Sequence, residues 1–90
     1  MKAVYFDQGG TTDVLRYGDL ATPSKCGENQ VLVRIKAIGI NPIDCKLRAA
    51  PERFPVTLPV IPGCDGAGIV EAVGAKVSDF KPGNEVYFSQ

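Results

Sequence analysis

Histidine is missing from this 90-residue chain. That absence excludes histidine acid/base or triad chemistry within these residues, and most catalytic zinc arrangements with them. Long apolar runs are missing too: none approaches the ~20 residues that a membrane-crossing helix needs. The opening Met1-Lys2-Ala3-Val4-Tyr5-Phe6-Asp7 has one early cation but no extended apolar core, so it does not read as a signal peptide. Neither sign of charge is in excess, with ten basic and ten acidic residues, and neither nucleic acid nor an anionic membrane is an expected partner. Cysteine is sparse and odd in number, at Cys26, Cys45 and Cys64. An odd count with no secretory leader read in the opening residues points to free thiols in a reducing compartment, and a cytoplasmic location is expected. A chain of this length makes one small domain that buries roughly two-thirds of its unfolded surface.

What is present is mostly strand and turn. Lys2 to Phe6 alternates from the first residues, and Gly9-Gly10 ends that run. A second short strand is expected at Val14–Tyr17. Ala21–Asn29 carries Pro23, Ser24, Gly27 and Asn29, a loop by composition. Gln30–Ile40 reads as the longest strand. Its period is two, with Val31, Val33, Ile35 and Ala37 on one face and Leu32, Arg34, Lys36 and Ile38 on the other. Asn41-Pro42 changes the pattern. Asparagine is a favoured N-cap, proline a favoured first helical residue, and Asp44 falls in the first turn, where the helix dipole favours a carboxylate. A short helix is expected over 42–49. Pro51, Pro55 and Pro59 then leave 50–62 without regular structure, a loop long enough to suggest function. Lys81-Pro82-Gly83-Asn84 has the residues of a type II turn, and Glu85–Ser89 begins a final strand.

The stretch Gly39–Gly74 organises the chain. Gly63, Gly66 and Gly68 surround Cys64 and Asp65, and Ile69, Val70, Ala72 and Val73 continue as a strand. Such a cluster is either a barrel corner or a floor for a flat ligand. Short strands joined by glycine and proline turns argue for a mostly β, partly open barrel. Residue types alone leave OB-like, SH3-like and other barrels open.

Gly39-Ile40-Asn41-Pro42-Ile43-Asp44 with Arg48, Pro59 to Gly68, and Val73-Gly74-Ala75-Lys76-Val77-Ser78-Asp79-Phe80-Lys81-Pro82-Gly83 carry a resemblance. Together with Met1-Lys2-Ala3-Val4 and the segment from Gly27-Glu28 to Val33, they resemble the N-terminal catalytic domain of the medium-chain dehydrogenase/reductase superfamily. Within it the chain is most similar to quinone oxidoreductases and zinc-free enone reductases. The resemblance implies a GroES-like, partly open β-barrel over 1–90, followed by a Rossmann domain that holds NADPH or NADH. These residues contain no Gly-x-Gly-x-x-Gly stretch of their own. The 90 residues alone are therefore expected to be inactive. The face that would meet the second domain is expected to be apolar, which leaves room for a homo-oligomer.

The resemblance also locates the metal question. Zinc alcohol dehydrogenases of this superfamily place a cysteine directly after the Gly-Ile pair and a histidine after the later proline-glycine. Those positions are Asn41 and Cys64 here. A neutral amide is a poor zinc ligand, and one thiolate does not make a site. Cys45 does not take the missing place, and it reads, like Cys26, as a small apolar filler. No metal is expected. The implied function is transfer of hydride from NAD(P)H to a small-molecule quinone or enone. Asn41 is the candidate catalytic and cofactor-binding residue, as a hydrogen-bond partner of the nicotinamide amide or the acceptor oxygen. It is equally a candidate helix cap. Lys46 is a second cofactor-binding candidate; it and Arg48 are read either as cations at the cleft rim or as solvated surface. Ile43, Cys64 and Asp65 are expected to line the substrate cleft. Asp44 reads as structural, and Tyr87 and Phe88 as barrel filling. Two alternatives stand beside this reading: a zinc-dependent alcohol dehydrogenase of the same superfamily, and a stand-alone GroES-like binding or assembly module.

Overall fold

The computed structural model describes residues 1–89. Five strands, one α-helix and two 3₁₀ turns account for the regular structure among them. The chain divides into two compact units. One comprises Met1–Ala21 and Ile40–Cys64, the other Thr22–Gly39 and the residues from Asp65 onward. No helix of the described residues is long and apolar enough to cross a membrane.

In the first unit, β1 (Lys2–Tyr5) pairs antiparallel with β2 (Arg16–Asp19), in a register from Lys2 opposite Asp19 to Tyr5 opposite Arg16. The strand expected at Val14–Tyr17 is thus displaced. Thr12–Val14 instead forms a 3₁₀ turn, and the partner positions on β1 select Arg16–Asp19 for the ladder. Beyond β1, Phe6 makes an isolated bridge to Val60. Phe6 N–H donates to the Val60 carbonyl at 3.0 Å, and Val60 N–H donates to the Phe6 carbonyl at 2.9 Å. Both side chains are buried, Phe6 completely, so this bridge is also the apolar centre of the unit. It corrects the expectation of an irregular 50–62 segment, as does a 3₁₀ turn over Pro51–Arg53. Helix α1 (Pro42–Ala49) has the expected bounds.

The second unit is a three-stranded antiparallel sheet ordered β3 (Val31–Gly39), β4 (Asp65–Val73), β5 (Glu85–Ser89). Strands β3 and β4 are equally long, and β4 begins at Asp65 rather than Ile69. Two of the three glycines that looked like a corner, Gly66 and Gly68, lie inside it, while Gly63 precedes it with φ +110°. Val31, Val33 and Ile35 do share a face, where they line a groove of about 380 Å³ with Phe80, Val86 and Phe88. Strict alternation nevertheless fails, because the register shifts between Leu32 and Val33 and again between Ile35 and Ala37. Gly68 sits opposite Ile35 at the second shift, and a Cβ there would collide with the Arg34 carbonyl. A glycine beside a bulge lets the neighbouring backbone approach closely. The Lys81–Asn84 turn closes through Asn84 N–H to the Lys81 carbonyl at 3.1 Å. It delivers β5 alongside Val70, which is buried. Arg34 and Glu71 form an exposed ion pair between β3 and β4, of a kind that adds little stability. Tyr87 does not fill a barrel interior: it is 89% exposed, because the alternation of β5 turns Glu85, Tyr87 and Ser89 outward and Val86 and Phe88 inward. The sheets are not closed, so the architecture is mostly β and open, with one helix.

The close approach at Gly68 has a measurable consequence. Gly68→Ala inserts a methyl where backbone cannot yield, an overpacking expected to lower unfolding free energy by about 1–3 kcal/mol. Urea unfolding of the purified chain checks this, and a loss under about 0.5 kcal/mol, the size of an ordinary surface change, would show that the strands separate easily there.

Candidate functional site

The junction between β3 and α1 is built from local signals. Asn41 has extended backbone angles, φ −130° and ψ 161°, and precedes Pro42 at the first helical position. Asn41 and Asp44 form a capping box. Asn41 N–H donates to Asp44 Oδ2 at 2.9 Å, and the Asn41 side chain accepts from Asp44 N–H in return; Asp44 N–H also lies 3.0 Å from the Asn41 carbonyl. Such a box satisfies amides that a helix start otherwise leaves unpaired.

The Asp44 carboxylate does more than close the box. Its other oxygen, Oδ1, accepts from Gly63 N–H at 2.9 Å. Asp44 is 8% exposed and is the only buried polar or charged residue of the described chain. Gly63 has φ +110°, with open space where a Cβ would stand. Backbone conformation rather than crowding therefore calls for glycine there. One carboxylate thus ties the head of α1 to the residue just before Cys64. The tail of α1 is tied separately. Gly10 N–H donates to the Arg48 carbonyl at 3.0 Å, and Arg48 Nε donates to the Gly10 carbonyl at 3.2 Å. Arg48 thus ties the helix tail to the Gly10 segment.

The other expected site residues fall as follows. Asn41 and Cys64 are half-buried, and Ile43 and Lys46 are exposed on α1. The first unit holds all four, and the Asp44 bridge links the Asn41 and Cys64 segments. Asp65 belongs to the second unit, opening β4 opposite Gly39 and Ser89. Lys46 takes no part in the ion pairs among the described residues. Cys45 is exposed, which corrects its reading as a core filler: Asp44 occupies the one buried position of α1, and the next residue is turned away by the helical rotation. Cys26 is half-buried, with Sγ donating to the Gln30 carbonyl at 2.9 Å. Among the described residues no three His, Cys, Asp or Glu side chains are grouped to hold a metal ion. Sequence reasoning missed the Gly63 contact. Its only signal was a carboxylate in the helix's first turn and a glycine in a proline-rich loop.

Comparison with known proteins bears on this arrangement. A quinone oxidoreductase of Sus scrofa is 43% identical over 82 residues, covering 91% of this chain and 25% of that protein. The NADPH-dependent alkenal/one oxidoreductase, chloroplastic, of Arabidopsis thaliana is 44% identical over 91 residues, covering 97% of this chain and 23% of that protein. Among solved structures, the Escherichia coli quinone oxidoreductase complexed with NADPH superposes with a TM-score of 0.90 at 37% identity, covering 100% of this chain and 27% of that one. The chain spans about a quarter of the length of the curated relatives it matches. Residues 27–90 match the alcohol dehydrogenase GroES-like domain. The chain, with its open β architecture and capped helix at Asn41, belongs to that family.

Proposed function

We propose that these residues are the N-terminal catalytic-domain part of an NAD(P)H-dependent oxidoreductase that reduces a quinone or enone without catalytic zinc. The observation that carries the reading is the capped head of α1, which fixes the backbone of a neutral amide, Asn41, in a chain similar to a reductase whose structure holds NADPH. When bound, the nicotinamide cofactor supplies hydride to the acceptor. The protein's part is then position and polarity. The Asn41 side chain can donate to an acceptor oxygen or accept from a carboxamide, and it keeps its charge across physiological pH. Lys46, exposed on the same helix, suits an anionic part of the cofactor. Ile43 and Cys64 are proposed to line the substrate cleft in this unit; Asp65 lies in the other unit. The zinc-free assignment draws on the donor set. Asn41 is a poor ligand, the chain has no histidine, and the described residues offer no group of three donors.

Three measurements test the reading. The 90 residues alone are expected to bind NADPH weakly and to turn nothing over, because they offer no glycine-rich phosphate loop; micromolar affinity by calorimetry would count against this. Elemental analysis of the full-length protein is expected to find less than stoichiometric zinc. One tightly held zinc per chain, lost on Cys64→Ser, would restore the zinc dehydrogenase alternative. Asn41→Asp preserves a helix cap, since aspartate caps as well as asparagine. A carboxylate, however, cannot donate and repels developing negative charge. In the full-length protein the variant should melt like wild type while kcat/KM for NADPH-dependent quinone reduction falls about ten- to hundredfold, the loss of ~1.5–3 kcal/mol of transition-state stabilisation. Unchanged kcat/KM with unchanged Tm would make Asn41 a cap and nothing more.

A further inference from the structure

We propose that Asp44 is a positioning residue for the reduction described above, an inference that rests on that function. Its carboxylate is the part that sets where Asn41 stands relative to the Cys64 segment. Three observations converge on it. Asp44 is the only buried residue of α1, and the helix's apolar residues are exposed or, at Leu47, half-buried. Each carboxylate oxygen takes one backbone N–H at 2.9 Å, Oδ2 from Asn41 and Oδ1 from Gly63. Those two amides belong to separate segments, Gly63 lying 19 residues beyond Asp44, and each segment carries a proposed site residue, Asn41 itself and Cys64 next to Gly63. Hydrogen bonds are directional where apolar contact is not. A helix held this way has its first residue fixed in angle as well as distance, which is what an amide aimed at a reacting group requires.

The chemistry at position 44 is demanding. Two backbone donors converge on one side chain, so it must present two acceptors and no donor. Ionised aspartate does so, and asparagine of the same size does not, because its NH₂ would face an N–H. Asp44→Asn therefore removes one of the two bonds at nearly constant shape, and Asp44→Ser, with a single short hydroxyl, reaches only one donor. Neither variant changes a group proposed to touch substrate or cofactor.

The test is a double-mutant cycle on the full-length oxidoreductase, with NADPH and 1,4-benzoquinone as probes. It compares wild type, Asp44→Asn, Asn41→Ala and the double variant, with Asp44→Ser replacing Asp44→Asn if the latter does not fold. Asp44→Asn is expected to lower kcat by about tenfold or more, while KM for NADPH changes less than about threefold. In the Asn41→Ala background the same change should lower kcat less than about threefold, because the group it misplaces is already gone. A residue that only stabilised the fold would show the same fractional loss in both backgrounds. That equal loss, or wild-type kcat in the Asp44 variants, overturns the inference while the function stands. A wild-type protein that does not oxidise NADPH with the quinone overturns the function, and the inference with it.

Discussion

A buried carboxylate shared between two backbone amides is the constraint on which the first unit depends. Moving a charged side chain out of water is unfavourable unless hydrogen bonds replace the lost hydration. Asp44 satisfies this with one backbone donor per oxygen, Asn41 to Oδ2 and Gly63 to Oδ1. Because both donors are main-chain groups, the contact reads backbone position rather than side-chain identity. It closes a segment rich in proline and short of apolar burial, in which Pro51 and Val60 are the buried residues.

The rest of the unit is consistent with that scheme. An eight-residue helix is marginal by itself in water, and α1 contributes no buried apolar side chain. Its two ends are held instead. Asp44 ties the head to Gly63, and the paired bonds between Gly10 and Arg48 tie the tail to the segment that follows β1. The Phe6–Val60 bridge supplies the buried apolar contact of the unit, between the residue that follows β1 and the last part of the 50–62 segment. The three ties bracket residues 40–63 on different sides, so the loop is ordered by a few directional bonds and one buried pair.

Features set by adjacent residues were legible in the sequence, and features set by distant ones were not. The bounds of α1 follow from Asn41-Pro42 and from Asp44 in the first turn, all local chemistry. The Lys81–Asn84 turn and β5 are equally local. By contrast, β2 moved from Val14–Tyr17 to Arg16–Asp19 because its ladder with β1 decides the register, and no property of residues 14–19 contains that. The glycines before Ile69 suggested a bend; Gly63 does turn, at φ +110°, yet Gly66 and Gly68 lie in β4, where Gly68 accommodates the backbone of β3. The outward face of Tyr87 depends on which side of β5 meets β4. At the candidate site, Asn41 as a cap was readable, whereas the role of Asp44 was only half visible: its first-turn position announces the capping box, but the bond to Gly63 spans 19 residues.

That division explains why the least conspicuous residue of the site carries the most structure. Asn41, Cys64 and Asp65 attract attention through chemistry that can be named from a single residue. Asp44 is an ordinary first-turn carboxylate until its second oxygen is accounted for. Once it is, the amide and the thiol segments stop being independent: any shift of Gly63 pulls on the same carboxylate that receives Asn41 N–H. The bond angles at two sp² oxygens therefore limit how far the segments can drift apart. Apolar packing of comparable strength would let them slide, since it has no preferred direction. The family's open β frame thus supplies the place, and a single two-faced acceptor supplies the alignment within this unit.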